Sequence, residues 1–85
     1  MKKFDFITDP GHGWVKVPVR MLSQLEIAEK VSCYSYRRGA FAYLEEDCDA
    51  SLFFAAYRNR FGFDPQLRER NAREKRSRVR GYDNY

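Results

Sequence analysis

The fold is decided by residues 33–62, which read CYSYRRGAFAYLEEDCDASLFFAAYRNRFG. Aromatic residues alternate with other residues in the first half of this stretch, and such alternation predicts strands with one buried face. We expect one strand over residues 33–37 and a second over residues 40–44, joined into a hairpin by a turn at Arg38 and Gly39. The aromatic side chains of this hairpin could form a stacking platform for RNA bases, but a buried core is the favoured interpretation. They are Tyr34, Tyr36, Phe41 and Tyr43.

The second half of the same stretch predicts the principal helix. Asp47 follows the hairpin and is a candidate N-cap, and Asp49 would lie in the first turn, where a carboxylate meets the positive end of the helix dipole. Gly62 ends the pattern, because glycine readily adopts the left-handed conformation that closes many helices. The residues that repeat at helical spacing are Leu52, Phe53, Ala56, Tyr57, Arg60 and Phe61.

Upstream of this stretch, the sequence predicts another hairpin and a short helix. Residues 3–8 alternate in polarity and are expected to form one strand, with residues 14–17 as its partner. The turn between them is DPGHG at residues 9–13, since proline fixes φ and glycine tolerates a positive φ. Pro18 suits the first position of a helix, and apolar residues follow it at spacings of three and four as far as Leu25.

Downstream of Gly62 the pattern weakens. Residues 66–76 fit either a charged helical turn or a loose arm, and residues 77–82 fit an edge strand with Val79 facing the core. We therefore predict a compact α+β domain over residues 1–65, with residues 66–85 as an Arg-rich C-terminal segment that is an arm or an edge strand of the same domain. The fold class is α+β: a small single domain with an antiparallel sheet of about four to five strands packed against one main helix and one short helix, in the order ββαββα with a further strand at the end.

Composition and charge favour a binding module. A chain of 85 residues makes one small domain with little surface for a deep cleft. Its hydrophobic content of 44% and aromatic content of 16% are too high for a disordered chain. The net charge is +4, and the basic excess falls in residues 68–80, whereas residues 1–67 are balanced. A neutral body with one basic segment predicts a single docking strip for a polyanion.

The sequence gives no indication of secretion or of a membrane span. The first residues carry no apolar run of signal-peptide length, and no later stretch is long and apolar enough to cross a bilayer. Cys33 and Cys48 are therefore expected to be reduced thiols. We expect an intracellular protein.

No recognisable catalytic set accompanies these features. His12 has no second ligand at metal-binding spacing, so we interpret it as a turn or packing histidine. His12 is the only obvious base for a nucleophilic Cys33 or Cys48, and there is no glycine-rich phosphate loop. We therefore expect no enzyme, no cofactor and no metal. A metal-dependent enzyme built on Glu45, Glu46 and His12 is the third alternative, and it predicts stabilisation by a divalent ion.

Two oppositely charged clusters are the candidate partner-binding residues. Helix capping accounts for part of the acidic cluster. The basic cluster could contact phosphates in bidentate fashion, with Tyr82 and Tyr85 close by in sequence, and nucleic-acid affinity would then fall with salt. The acidic cluster is Glu45, Glu46, Asp47 and Asp49, and the basic cluster is Arg73, Arg76, Arg78 and Arg80.

Three strings carry a resemblance: DPGHGW at residues 9–14, YSY at residues 34–36 and YLEEDCDA at residues 43–50. With them, most of residues 3–57 resemble small uncharacterised proteins encoded on phages, plasmids and other bacterial mobile elements. Some small phage proteins that are similar to this chain in size and aromatic content are anti-CRISPR proteins. The resemblance implies a host-defence inhibitor in the cytoplasm of the bacterial host, which binds a CRISPR effector complex and blocks DNA recognition. The acidic cluster would then occupy a lysine-lined DNA channel, without any active site. A small nucleic-acid-binding accessory protein that uses the Arg-rich C-terminal segment is the alternative.

Overall fold

The computed structural model describes residues 3–32, 34–71 and 78–85, apart from the side chains of residues 71, 78 and 80. Strands and helices follow one another in the α+β order that the sequence predicts. The elements are β1 (Lys3–Thr8), β2 (Gly13–Pro18), α1 (Val19–Gln24), a 3₁₀ turn (Ala28–Lys30), β3 (Tyr36–Arg38), β4 (Phe41–Glu45), α2 (Asp49–Phe61), β5 (Gln66–Asn71), a second 3₁₀ turn (Arg78–Gly81) and β6 (Asp83–Asn84).

The described strands form one mixed sheet of six strands in the order β5-β1-β2-β4-β3-β6. Most neighbours are antiparallel, as expected, but β5 runs parallel to β1. The sheet is therefore larger than the four to five strands predicted, and it is not purely antiparallel. Both edges come from the C-terminal segment, because β5 covers β1 and β6 covers β3.

Two predictions for this segment are wrong. Residues 66–71 are neither helical nor a loose arm, because they pair with β1 along its full length, from Lys3 opposite Gln66 to Thr8 opposite Asn71. Residues 78–81 form a 3₁₀ turn instead of an edge strand. The inward orientation of Val79 is confirmed, since its side chain is only 2% exposed.

The hairpin of β3 and β4 lies where the sequence predicts it, with shifted ends. Gly39 has a φ of +59°, and its turn is completed by Ala40. β3 begins only at Tyr36, and Tyr34 lies in a preceding turn with 71% of its surface exposed. Phe41 is also exposed, so the prediction that the hairpin aromatics are buried is wrong for Tyr34 and Phe41 and confirmed for Tyr43.

Helices α1 and α2 cover one face of the sheet and enclose the main core. The ring of Phe4 on β1 meets the rings of Phe53 and Tyr57 on α2 edge to face, with centroids 5.3 and 5.7 Å apart. Gly62 ends α2 in the left-handed conformation, as predicted, and its N–H donates to the carbonyl of Arg58. The remaining buried residues of this core are Val15, Val17, Leu22, Ile27, Ala42, Leu44 and Ala50.

The opposite face of the sheet carries a smaller aromatic core. Trp14 of β2 and Tyr43 of β4 are buried there under Val79 from the second 3₁₀ turn. Tyr82 packs on Tyr43 with ring centroids 4.9 Å apart. The C-terminal segment therefore completes this second core as well as the two edges of the sheet.

Among the described residues, α2 is the longest helix at 13 residues, and none of the helices combines the length and apolar character that a bilayer-spanning helix requires.

Candidate functional site

The structure divides the acidic cluster into two buried and two exposed carboxylates. Asp49 is 3% exposed and Glu45 is 9% exposed, whereas Glu46 and Asp47 are both exposed. The part of the cluster that could meet a partner directly is therefore the pair Glu46 and Asp47.

Asp49 joins three parts of the fold through its carboxylate. It accepts hydrogen bonds from the backbone N–H and the hydroxyl of Ser32, the latter at 2.7 Å, and from the hydroxyl of Ser35. The Ser35 hydroxyl oxygen in turn accepts a bond from the backbone N–H of Glu45. Asp49 lies in the first turn of α2 as predicted, but the N-cap prediction for Asp47 is wrong, because Cys48 occupies that position without a side-chain capping bond.

Glu45 connects the β4–α2 turn to the turn between β1 and β2. Its Oε2 accepts a hydrogen bond from the backbone N–H of Asp47 at 2.9 Å, and its Oε1 lies 3.5 Å from Nδ1 of His12. The next residue, Glu46, donates its backbone N–H to the carbonyl of Gly13 at 3.0 Å. The two turns are therefore held side by side by both side-chain and backbone contacts.

His12 lies in the β1–β2 turn, as expected, but sequence reasoning did not indicate the two carboxylates beside it. One donor atom each from His12, Glu45 and Asp47 lies within 4.8 Å of the other two. A cavity of about 320 Å³ adjoins this group and is lined by His12, Glu45, Trp14, Tyr34 and Tyr36. These residues come together because β2 pairs with β4, which sets Trp14 opposite Glu45. A prediction of that pairing from the sequence would have found the group.

A second, larger cleft of about 620 Å³ opens near the start of β1 and the end of β2. Its aromatic wall includes Phe41, and the Nζ of Lys16 lies 4.3 Å from the centre of that ring. Asp5 is its acidic residue, and Arg68 binds this carboxylate at 2.9 Å while Arg70 lies 3.7 Å from it. The cationic side chains that line the cleft are Lys3, Lys16, Arg20 and Arg68.

The predicted basic cluster lies largely outside what the structure describes. Arg73 and Arg76 are outside the described residues, and Arg78 and Arg80 are described only as backbone positions of the second 3₁₀ turn. The cations that line the cleft, apart from Arg68, come from residues 1–67, the part of the chain that sequence reasoning treated as electrically neutral. For Lys16, the available signal was its predicted position on the same face of β2 as Trp14.

The terminal tyrosines have structural partners. Tyr82 packs against Tyr43, and the guanidinium of Arg38 lies 5.1 Å from the centre of the Tyr82 ring. The Tyr85 hydroxyl donates to the carbonyl of Ala28 at 2.7 Å. Both contacts tie the C-terminal segment to the body of the domain.

Burial raises the pKa of Tyr43 above its ordinary value of 10.0, and the neighbouring Tyr82 raises it further through charge repulsion and a hydrogen bond. The nearby guanidinium of Arg38 acts in the opposite direction. Tyr43 therefore stays a neutral phenol in the aromatic core.

Cys48 carries a free and exposed thiol, whereas Cys33 lies outside the described residues.

No protein-family model matches this chain, and neither a curated protein sequence nor a solved structure does. The function of the site residues is therefore inferred from their own geometry and chemistry.

Proposed function

We propose that this chain binds single-stranded nucleic acid through the cationic cleft. The observation that carries the proposal is the combination of Lys3, Lys16, Arg20 and Arg68 around one cleft with Phe41 at its wall. Proteins that bind single strands combine a positive groove for the phosphates with aromatic rings for the bases. Nucleic-acid binding is the alternative function that the sequence suggested, but the proposed binding surface is now the cleft instead of the Arg-rich segment.

The cleft keeps most of its positive charge available. Asp5 is already bound by Arg68 and lies near Arg70, so its negative charge is shared between two arginines. Within residues 3–32, 34–71 and 78–85, no carboxylate forms a salt bridge with Lys3, Lys16 or Arg20. Phosphates could therefore bind these three cations without displacing a carboxylate, and each contact would release a counterion.

Fluorescence anisotropy with a labelled single-stranded oligonucleotide at several salt concentrations tests this proposal. Binding should weaken steeply as salt rises, and Lys3→Ala and Arg20→Ala should each weaken it and reduce the salt slope by about 1. Arg60→Ala is the matched control, because Arg60 lies on α2 away from the cleft. A salt-independent affinity, or an equal loss in the Arg60 variant, would contradict nucleic-acid binding by this cleft.

The second candidate is an inhibitor that docks on another protein, and one observation favours it. Tyr34 is a large aromatic residue with 71% of its surface exposed. It lines the same cavity as Glu45, and Glu45 is followed in the chain by the exposed Glu46 and Asp47. Tyrosine is among the residues that most often contribute the binding energy of protein interfaces. The resemblance to anti-CRISPR proteins implies the DNA channel of a CRISPR effector complex as the partner surface, with the acidic pair facing its lysines.

DNA binding by purified CRISPR effector complexes, measured with and without the protein, tests this candidate. The protein should bind an effector and block its access to DNA, and a chain with Tyr34→Ala, Glu46→Lys and Asp47→Lys should lose both effects. Asp64→Lys is the control for a charge reversal at an exposed position distant in sequence. Full inhibition by the triple variant would exclude this surface, and failure to bind the effectors would exclude the role.

A further inference from the structure

Three potential metal ligands from two separate turns meet at one point of the surface. His12 belongs to the β1–β2 turn, Glu45 ends β4, and Asp47 lies in the turn before α2. Nδ1 of the histidine and one oxygen from each carboxylate lie within 4.8 Å of one another. This group combines an imidazole with two carboxylates, so it differs in chemistry from an ordinary patch of acidic residues.

The spacing between His12 and Glu45 suits a shared metal ion better than a direct hydrogen bond. Nδ1 of His12 and Oε1 of Glu45 are 3.5 Å apart. Hydrogen bonds between such atoms are normally about 2.7–3.2 Å long. Two ligands at about 2.0–2.1 Å from a tetrahedral zinc ion are roughly 3.3–3.4 Å from each other. The separation of these two atoms therefore matches that of two ligands on one zinc ion.

Hydrogen bonds hold the backbone of the histidine's turn in place before any ion binds. The Asp9 carboxylate accepts bonds from the backbone N–H groups of Gly11 and His12 at 3.0 and 2.9 Å. The backbone N–H of Asp9 donates to the carbonyl of His12 at 2.9 Å, which closes the same turn. The backbone position of His12 is thus set by the turn itself, so little backbone entropy would be lost on binding.

The glutamate is oriented in a similar way. Oε2 of Glu45 is occupied by the backbone N–H of Asp47, which leaves Oε1 turned towards His12. The bond from the Glu46 N–H to the Gly13 carbonyl fixes the distance between the two turns. The exposed side chains of Asp47 and His12 are free to adjust, since a change of rotamer at the surface costs little.

We propose that His12, Glu45 and Asp47 form a binding site for a divalent transition-metal ion of the zinc type. Imidazole favours zinc and its neighbours, whereas magnesium and calcium favour oxygen ligands alone. Three protein ligands leave at least one coordination position open. The cavity of about 320 Å³ beside His12 and Glu45 gives that position room for a water molecule or for an anionic oxygen of a small ligand.

Titration of the chelator-treated protein with Zn²⁺, monitored by calorimetry and by nuclear magnetic resonance, is the direct test. His12 is the only histidine in the chain, so its imidazole signals are unambiguous. We expect one Zn²⁺ per chain, a shift of the His12 ring signals and a rise in melting temperature that a chelator reverses. Mg²⁺ should produce none of these effects at the same concentration.

Variants separate this site from other zinc-binding groups. His12→Gln and Asp47→Asn each remove one ligand and should weaken binding by more than the roughly 10- to 100-fold that follows the loss of an outer-shell partner. Glu46→Gln is the matched control, because Glu46 is an adjacent exposed carboxylate outside the group of three. It should bind Zn²⁺ like the unmodified chain.

Co²⁺ serves as a probe of ligand type that needs no variant, since the exposed thiol of Cys48 is also close in sequence. The expected spectrum has the visible bands of a low-symmetry Co²⁺ site and no thiolate charge-transfer band. A thiolate band, unchanged affinity in His12→Gln, or the absence of saturable Zn²⁺ binding would each overturn the proposal.

Discussion

Asp49 is the residue on which the junction between β4 and α2 depends. Its carboxylate is 3% exposed and accepts bonds from Ser32 and Ser35. The sequence placed it correctly in the first turn of α2, but only the structure reveals its serine partners, because they precede it by 17 and 14 residues. Capping rules consider only near neighbours in the chain, so they could not find them.

Asp49→Ala should lower the free energy of unfolding by roughly 2–4 kcal/mol, because it leaves buried donors without an acceptor. Asp49→Asn keeps one acceptor oxygen and should lose less. Urea denaturation measures both, with Asp64→Ala as the control. Asp64 pairs with Arg58 where both side chains are about two-thirds exposed, and such pairs are worth less than about 1 kcal/mol. Equal losses in the two alanine variants would contradict the role of Asp49.

Tyr43 should make stability depend on pH in alkaline solution. Burial, then Tyr82, raises the pKa of its phenol in the folded state above the 10.0 expected when unfolded. The raised pKa means that its contribution to stability is complete below pH 10.0 and is lost as pH rises through the folded-state pKa.

Denaturation curves across this alkaline range should therefore show a shallower loss of stability for Tyr43→Phe than for the unmodified chain. Tyr34→Phe is the control, because the Tyr34 side chain is 71% exposed and gains little from folding. Parallel curves for all three proteins would contradict the contribution of Tyr43.

At the scale of elements, the hairpins were predictable and the pairing between them was not. β1, β2 and β4 carry a clear apolar signal, because Phe4 of β1 is buried and because β2 and β4 are buried on both faces of the sheet. β5 gave no such signal, since Gln66–Arg70 are exposed and no buried face imposes a period of two. The grouping of His12 with Glu45 was missed for a different reason, because it depends on the pairing of β2 with β4, which belong to different hairpins.

The second 3₁₀ turn should control the burial of Trp14, the only tryptophan in the chain. Val79→Asp places a carboxylate against the aromatic core, so the turn should leave the sheet and Trp14 fluorescence should shift to the red. Val79→Ala should only reduce stability, by roughly 1–3 kcal/mol.

Leu22→Ala is the control for this experiment, because Leu22 is buried in the core on the other face of the sheet. It should destabilise the protein without changing the emission of the folded state. Unchanged emission in Val79→Asp would show that another segment covers Trp14.

On the scale of the whole molecule, the Arg-rich segment supplies edge strands and part of a core, in addition to charge. Removing residues 66–85 takes away β5, β6, Val79 and Tyr82 together. Because a small domain has little stability in reserve, the chain of residues 1–65 should lose cooperative unfolding. Circular dichroism during heating measures this. A sharp transition near that of the full chain would instead support an independent domain over residues 1–65.

The parallel pairing of β1 with β5 has a consequence for the growing polypeptide on the ribosome. Each residue of β1 faces a partner 63 positions later, as Lys3 faces Gln66. Contacts so distant in sequence require closure of a long loop and slow the search for the native state. At roughly 5–20 residues per second, several seconds separate the synthesis of the two strands. During that time the outer edge of β1 has no partner strand, so the newborn chain is open to pairing with its neighbours on the same messenger RNA.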